Sequence, residues 1–275
     1  MRDADQNESP PTSPPQEPLL VTTSHRADPN LRRHAAQRAR LWQVPFVPRD
    51  GLPPLETLTS SGVSLLIFSG RGLQLLDRWG TLIFHEGLAH LRTLRLNAGG
   101  TEPLVHAGEV GPGDQVLDCT MGLAQDALVV ARAVGPRGRV VAVESSLVLY
   151  AVVSEGLETR GPSPASCRIE PVHADHADLL PQLPSGHVDV VYFDPMFPAP
   201  RKAQAAFDAV RRQGNHTALT PTVLAQACRV ARRWVIVKCP KGSSMPVDLG
   251  LRRLAGAPTS PFDWARAPGQ ARFEE

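Results

Sequence analysis

The chain has 275 residues, of which 42% are hydrophobic, and its formal net charge at pH 7 is +2. This hydrophobic content is that of an ordinary globular protein, and the length suits one large domain, or one large and one small domain. The near-neutral charge argues against a highly basic structural nucleic-acid protein, whereas a local basic patch is still compatible with an RNA substrate.

Cysteine usage and hydropathy restrict the class of protein further. The four cysteines lack CxxC spacing, so they predict small buried thiols in a reducing compartment and no metal site. No apolar run approaches the roughly 18 residues of a membrane helix. The N-terminus carries early acidic residues and no apolar h-region. We therefore expect a cytoplasmic protein without a membrane segment.

The first part of the chain predicts a tail followed by a small α/β unit. Residues 1–18 are polar and proline-rich, which predicts a disordered tail. Within residues 19–85 the runs LLVTT and VSLLIFS are strand patterns, and two helix patterns lie between them. The run GLQLLDRWGTLIF predicts a hairpin that turns near Trp79 and Gly80. We find no catalytic motif in this unit.

The remaining residues, 86–275, alternate strand and helix patterns, which predicts parallel βαβ units. The strand patterns cover residues 115–120, 140–146, 168–175, 188–195 and 232–240. Acidic side chains stand at the ends of several of these strands. In a doubly wound sheet the ligand binds at the carboxyl ends of the strands, so these acids are candidate site residues.

The loop after the first of these strands, DCTMGLAQD, combines acidic side chains with one glycine. Gly122 lets the backbone turn tightly and approach a ligand closely. A dinucleotide site would need GxGxxG here, because a pyrophosphate must bind at the helix N-terminus. The carboxylates of Asp118 and Asp126 repel phosphate but suit the ammonium and sulfonium end of S-adenosylmethionine. The loop therefore favours S-adenosylmethionine over NAD.

Two further strand ends extend this constellation. Glu144 ends the second strand, where an acid can accept hydrogen bonds from both ribose hydroxyls, as in NAD and S-adenosylmethionine enzymes. Asp175 ends the third strand, within reach of an adenine amino group. Each acid alone is more readily explained as a helix cap or a solvated loop residue. Acids at three successive strand ends, with one glycine turn, favour a cofactor site.

The fourth strand ends in the run DPMFP. Amino methyltransferases that act on nucleobases often carry Asn or Asp, Pro, a variable residue and an aromatic residue here. Asp194 and the Pro195 carbonyl would accept hydrogen bonds from an exocyclic amine and localise its lone pair, and the prolines would stiffen the loop. Phe197 would stack on the base. The alternative is a proline-rich turn that merely ends a buried strand.

The runs VLDCTMGLAQDA, VESS, VHAD and YFDPMFP resemble the bacterial small-subunit ribosomal RNA guanine-N2 methyltransferases and a closely similar uncharacterised bacterial group. The resemblance implies an α/β fold, with a Rossmann-like class I methyltransferase domain that has a mostly parallel seven-stranded sheet and follows a small α/β N-terminal unit. It implies S-adenosylmethionine as the cofactor and small-subunit ribosomal RNA, or the small ribosomal subunit, as the partner. The implied cofactor contacts are Gln125, Asp126, Glu144, Ser145, Ala174, Asp175 and Asp194. This sequence departs from the family loop at Ala124, where a glycine is usual, and at Gln125, where an arginine is common.

Four residues are candidate substrate contacts. Met196 lies within DPMFP, Arg201 and Lys202 follow it and would grip phosphates, and Lys238 ends the fifth strand. Charge runs also mark solvated helix faces, so the phosphate interpretation stays open. Our leading hypothesis is methylation of an exocyclic nucleobase amine, guanine N2 of small-subunit ribosomal RNA. A protein or small-molecule methyltransferase with the same cofactor site, or a non-catalytic binding module of the same fold, are the alternatives.

Overall fold

The computed structural model of the chain describes residues 17–161, 163–196, 212–214, 217–254 and 260–272. In these residues the strands form two sheets, one of four strands and one of seven. All but the last two residues of the predicted tail lie outside the described residues. No helix of the described part of the chain is long and apolar enough to cross a membrane.

The N-terminal sheet contains the elements predicted for residues 19–85. Its strands are β1 (Leu19–Thr23), β2 (Ser64–Ser69), β3 (Gly72–Asp77) and β4 (Gly80–Ile83), in that spatial order, and helices α1 (Pro29–Trp42) and α2 (Leu55–Ser60) lie between β1 and β2 in the chain. Strand β1 is parallel to β2, and the other pairs are antiparallel. The predicted hairpin is confirmed. Its turn is closed by the Asp77 carboxylate, which accepts the N–H groups of Trp79 and Gly80 at 2.8 and 2.9 Å.

The second sheet is the mostly parallel seven-stranded sheet that was predicted. Its strands are β5 (Gln115–Asp118), β6 (Arg139–Glu144), β7 (Ile169–His173), β8 (Val188–Phe193), β9 (Ala231–Pro240), β10 (Arg252–Leu254) and β11 (Phe262–Pro268), and their spatial order is β10-β11-β9-β8-β5-β6-β7. Strand β11 runs antiparallel to both of its neighbours, β9 and β10, whereas the pairs from β9 to β7 are parallel. The chain order reverses between β5 and β8, and the carboxyl ends of strands at such a switch point form a crevice for ligands.

Helices cover both faces of this sheet. They are α3 (Leu88–Asn97), α4 (Pro103–Ala107), α5 (Gln125–Val134), α6 (Leu147–Arg160), α7 (His176–Leu179), α8 (Pro221–Val230) and α9 (Met245–Asp248). Neighbouring residues of one strand point to opposite faces, so the continuous apolar runs serve two cores. Val190, for example, packs with α5, whereas Val191 packs with α8. A sheet covered on both faces explains the strand patterns of the sequence.

Helix α6 joins the two sheets. Its sequence has no polar stripe over the first two turns, because one side faces the seven-stranded sheet and another faces the N-terminal sheet. Leu149 and Val152 are fully buried and cluster with Leu75 of β3. Phe84 packs directly on Gly156, where an added Cβ would lie only 2.2 Å from the ring. The N-terminal unit therefore shares a core with the seven-stranded sheet's own helix.

Candidate active site

The carboxyl ends of β5, β6 and β8 meet at the switch point and enclose a small cavity. Its lining includes Cys119, Thr120, Gly122, Glu144, Ser145, Asp194, Pro195 and Met196. Three segments that lie far apart in sequence are thus brought together at one edge of the sheet. Thr217, beyond the DPMFP run, also lines the cavity.

The loop after β5 turns sharply through two residues of positive φ. Gly122 has φ 51° and Ala124 has φ 57°. The left-handed conformation costs a residue with a Cβ roughly 1–2 kcal/mol, which gives a physical reason for the usual glycine at the Ala124 position. The turn directs the Gly122 N–H to the Glu144 carboxylate, which accepts it at 3.0 Å. The other oxygen of Glu144 accepts the Ser146 N–H at 2.8 Å.

Asp118 is a buried carboxylate that forms no ion pair with a basic side chain among the described residues. Its side chain accepts the Thr120 N–H at 3.0 Å, and the residue is only 2% exposed. Burial, reinforced by the nearby carboxylates of Asp126, Asp194 and Glu144, raises the pKa of Asp118 to about 8. A positively charged ligand in the cavity would favour its ionised form. This cluster of carboxylates therefore fits a cationic ligand group better than a phosphate.

Asp194 is held by bonds to its backbone and its carboxylate. Its N–H donates to the Thr120 hydroxyl at 2.7 Å, and Lys238 Nζ donates to its Oδ2 at 2.7 Å. Burial raises the pKa of Asp194, and the Lys238 ammonium opposes that rise. Burial has the opposite effect on Lys238 and would lower its pKa, but the carboxylates of Asp126 and Asp194 outweigh burial and raise the pKa of Lys238. Lys238 therefore stays charged.

The ion pair of Lys238 and Asp194 is extended by further buried charged residues. Asp126 lies 3.7 Å from Lys238 Nζ, accepts the Tyr192 hydroxyl at 2.8 Å and accepts Arg92 Nη1 at 2.5 Å. Arg92 also donates to the buried Glu102. Burial alone would raise the pKa of Asp126, but Lys238 and Arg92 lower it to about 2. Asp126 is thus an ionised anchor for Lys238. We call these residues the charge network: Glu102, Arg92, Asp126, Tyr192, Lys238 and Asp194.

Gln125 holds the protein backbone with its side-chain amide. Its Nε2 donates to the His85 carbonyl at 2.8 Å, and its Oε1 accepts the Ala89 N–H at 3.1 Å. These bonds fix the segment before α3 against the start of α5. A contact of Gln125 with the cofactor stays a prediction from the sequence.

The residues predicted around the ribose and adenine lie beside Glu144. The Ala174 N–H donates to the Glu144 carbonyl at 3.1 Å, and the Ser145 carbonyl lies 3.2 Å from His173 Nε2. Asp175 caps α7 by accepting the Ala177 N–H at 2.8 Å. The predicted site residues that lie outside the described residues are Phe197, Arg201 and Lys202.

Sequence reasoning alone did not find the charge network. Arg92 lies 34 positions from Asp126 in the chain, and Tyr192 reads as one more apolar residue of a buried strand. The available signal is the helical spacing of α3, because Arg92 follows the buried Ala89 by one turn. That spacing turns the arginine toward the core.

Comparison with known proteins agrees with this geometry. Residues 81–248 match the family model described as "Putative SAM-dependent methyltransferase". The chain is 31% identical over 225 residues to the uncharacterized protein YpiP of Bacillus subtilis. The alignment covers 80% of this chain and 88% of YpiP. It is 32% identical over 246 residues to ribosomal RNA small subunit methyltransferase J of Pseudoalteromonas atlantica, covering 82% of this chain and 89% of the relative.

Among solved structures, the chain is similar to a SAM-dependent methyltransferase from Aquifex aeolicus, with 15% sequence identity and a TM-score of 0.43. The superposition covers 67% of this chain and 98% of the Aquifex chain. The family match spans the Gly122 loop, Glu144, Asp194 and Lys238. The cofactor of this family is S-adenosylmethionine. The chain belongs to the family of SAM-dependent methyltransferases.

Proposed function

We propose that this methyltransferase transfers a methyl group to an exocyclic amine of a nucleobase, guanine N2 of small-subunit ribosomal RNA. The observation that carries the proposal is the position of Asp194. Asp194 lines the same cavity as Gly122 and Glu144, at the end of β8, and is followed by Pro195 and Met196, which line it too. The relative from Pseudoalteromonas atlantica, which is named as a ribosomal RNA small subunit methyltransferase, supports the RNA substrate.

The cofactor would be held at the ends of β5, β6 and β7. When bound, S-adenosylmethionine supplies an electrophilic methyl group on a sulfonium. The Asp118 carboxylate would favour the cationic end of the cofactor, because it is buried among other acids and has no basic partner in the described part of the chain. Glu144 and Ser145 would accept and donate hydrogen bonds at the ribose, and Ala174 and Asp175 would flank the adenine.

Asp194 would orient the amine. Lys238 binds its Oδ2, and no other described residue donates to Oδ1. Oδ1 would accept a hydrogen bond from the amine, together with the Pro195 carbonyl. These two acceptors localise the lone pair of a nitrogen that is otherwise conjugated to the ring. Holding the nitrogen in line with the methyl group supplies acceleration through positioning alone.

Asp194 also suits the departure of the proton. An NH₂ group that gains a methyl group must lose one proton to become NH(CH₃). Burial raises the pKa of Asp194, so its carboxylate is a stronger base than an exposed aspartate and can accept that proton from the nitrogen. Met196 and Phe197 would lie beside the base, and Arg201 and Lys202 would bind phosphates near it.

The proposal is tested with isotopically labelled S-adenosylmethionine and three acceptors: small ribosomal subunits, naked ribosomal RNA and total protein. Label in RNA or subunits, and none in the protein fraction, is the expected result. Label in protein alone would contradict it. Asp194→Ala should lower transfer by at least about a hundredfold while calorimetry finds the cofactor still bound. Full activity in this variant would refute the role of Asp194.

A further inference from the structure

The tip of the β3–β4 hairpin exposes an aromatic side chain with guanidinium groups beside it. Trp79 is 49% exposed. The Cζ atoms of Arg78 and Arg212 lie 4.3 and 4.9 Å from the centre of its ring system, each over the ring. Arg78 comes from the hairpin itself, whereas Arg212 comes from the chain beyond DPMFP. Two distant segments thus build one surface patch.

Neither turn geometry nor packing requires a tryptophan here. Two-residue hairpin turns favour Asn-Gly or Asp-Gly, which tolerate positive φ, and neither Arg78 nor Trp79 has a positive φ. Half of the Trp79 surface is left in water. Tryptophan and arginine are enriched among the few residues that carry most of the binding energy at interfaces. The composition of the patch is therefore that of a binding surface.

The hairpin is fixed relative to the candidate active site. Leu75 and Leu82, on its two strands, lie in the same core cluster as Leu149 of α6. Leu123, of the loop that carries Gly122, packs against that cluster as well. The tip of the hairpin cannot shift independently of the loop without disrupting this shared core.

The patch also lies close to the cavity. Arg212 contacts the Trp79 ring, and Thr217, five positions later in the chain, lines the cavity. Five residues span at most about 18 Å even when fully extended. A short single strand of nucleic acid whose target base enters the cavity can therefore reach Trp79.

The charges of the patch suit a polyanion. Arg78 forms an ion pair with Glu17, whereas no carboxylate among the described residues lies within ion-pair distance of Arg212. Guanidinium groups bind phosphate oxygens, and aromatic rings stack on bases with little regard to sequence. Arg78, Trp79 and Arg212 together offer both kinds of contact at one place.

We propose that Arg78, Trp79 and Arg212 bind the RNA strand next to the target base. This inference rests on the proposed RNA methylation, and it assigns the N-terminal unit a role in substrate binding. In it, Arg212 moves off the Trp79 ring to neutralise a phosphate, and a base of the strand takes its place on the ring. The cofactor site is separate, so the patch should affect RNA affinity and leave cofactor affinity unchanged.

The test measures binding of the full chain to a short fluorescein-labelled, guanine-containing single-stranded RNA, by anisotropy at several salt concentrations. Trp79→Ala should weaken binding about tenfold, because base stacking on an aromatic ring is lost. Trp79→Phe should restore most of the affinity. Arg212→Ala should lower the slope of log Kd against log salt by about 0.7, the value for one phosphate contact on a single strand.

Arg71→Ala is the matched control, since Arg71 is an exposed arginine in the opposite turn of the same sheet. Its RNA affinity should equal that of the wild type, and all variants should bind S-adenosylmethionine alike. Wild-type RNA affinity in both Trp79→Ala and Arg212→Ala would overturn the inference while leaving the proposed methylation intact. A wild-type protein that neither binds nor methylates RNA would instead refute the proposed function itself.

Discussion

Replacing Lys238 by methionine tests whether the charge network keeps Asp194 able to accept hydrogen bonds from the amine. The substitution removes the ammonium that lies 2.7 Å from Asp194 and 3.7 Å from Asp126. Burial already raises the pKa of Asp194, and Lys238 opposes that rise. Without Lys238 the pKa of Asp194 should rise further. A larger fraction of the carboxyl would then be protonated at neutral pH, and in that form it could not take up the proton that leaves the amine.

The size of the effect follows from the distance. At 2.7 Å and an effective dielectric constant of about 20, the attraction is roughly 6 kcal/mol. Partial exposure of both side chains, 19% for Lys238 and 31% for Asp194, screens it to about 2–3 kcal/mol. Removing Lys238 should therefore raise the pKa of Asp194, and since about 1.4 kcal/mol corresponds to a tenfold change, the lost attraction is worth roughly a hundredfold. Activity at a fixed pH below the new pKa should then fall about a hundredfold.

The assay is kcat as a function of pH under saturating substrates. Lys238→Met should regain activity as the pH rises, whereas Lys238→Arg should keep the wild-type profile because its charge persists. Lys241→Met, at an exposed lysine just beyond β9, is the matched control and should behave as wild type. A Lys238→Met enzyme whose kcat falls equally at every pH, or does not fall, would refute the reasoning.

Three further predictions concern the cofactor loop and the shared core. Because the pKa of Asp118 is raised to about 8, S-adenosylmethionine should bind more tightly as the pH rises toward 8, by up to about tenfold per pH unit. Calorimetry should show that binding releases a proton, and Asp118→Asn should flatten the pH dependence. A Kd of the wild type that does not change with pH would count against this. Glu144→Ala should weaken cofactor binding about tenfold or more in the same experiment, because Gly122 loses its acceptor, and unchanged affinity would contradict the assignment. Gly156→Ala should destabilise the fold by about 1–3 kcal/mol, since the new methyl group meets Phe84, and a thermal melt with an unchanged Tm would refute that packing.

Much of the fold could be predicted because its signals are local. Continuous apolar runs bounded by turn residues located β5 to β9, and acidic residues at their ends marked the site edge. Strands β10 and β11 could not be located individually. Strand β10 has only three residues, two of them arginines, and β11 mixes apolar residues with Asp263, Arg266 and Pro268. Such short or mixed runs resemble loops until a neighbouring strand pairs with them.

The charge network could not be predicted because its contacts are non-local. Arg92, Asp126 and Lys238 come from α3, α5 and β9, and their pairing depends on how those elements pack. For the same reason the sequence identified Lys238 only as a residue at the ligand edge. The structure shows it bound to Asp194, so it acts on the catalytic candidate directly. The shared core of α6 and the N-terminal sheet could not be predicted from local sequence patterns either, because it also depends on contacts between distant segments.

The most direct test of the account identifies the methylated atom. Small-subunit ribosomal RNA treated with the protein and S-adenosylmethionine is digested to nucleosides and analysed by mass spectrometry. The account predicts N2-methylguanosine with the wild type and none with Asp194→Asn, which keeps the shape of the side chain but loses its charge. A methyl group on another atom or on protein, or equal product from Asp194→Asn, would contradict it.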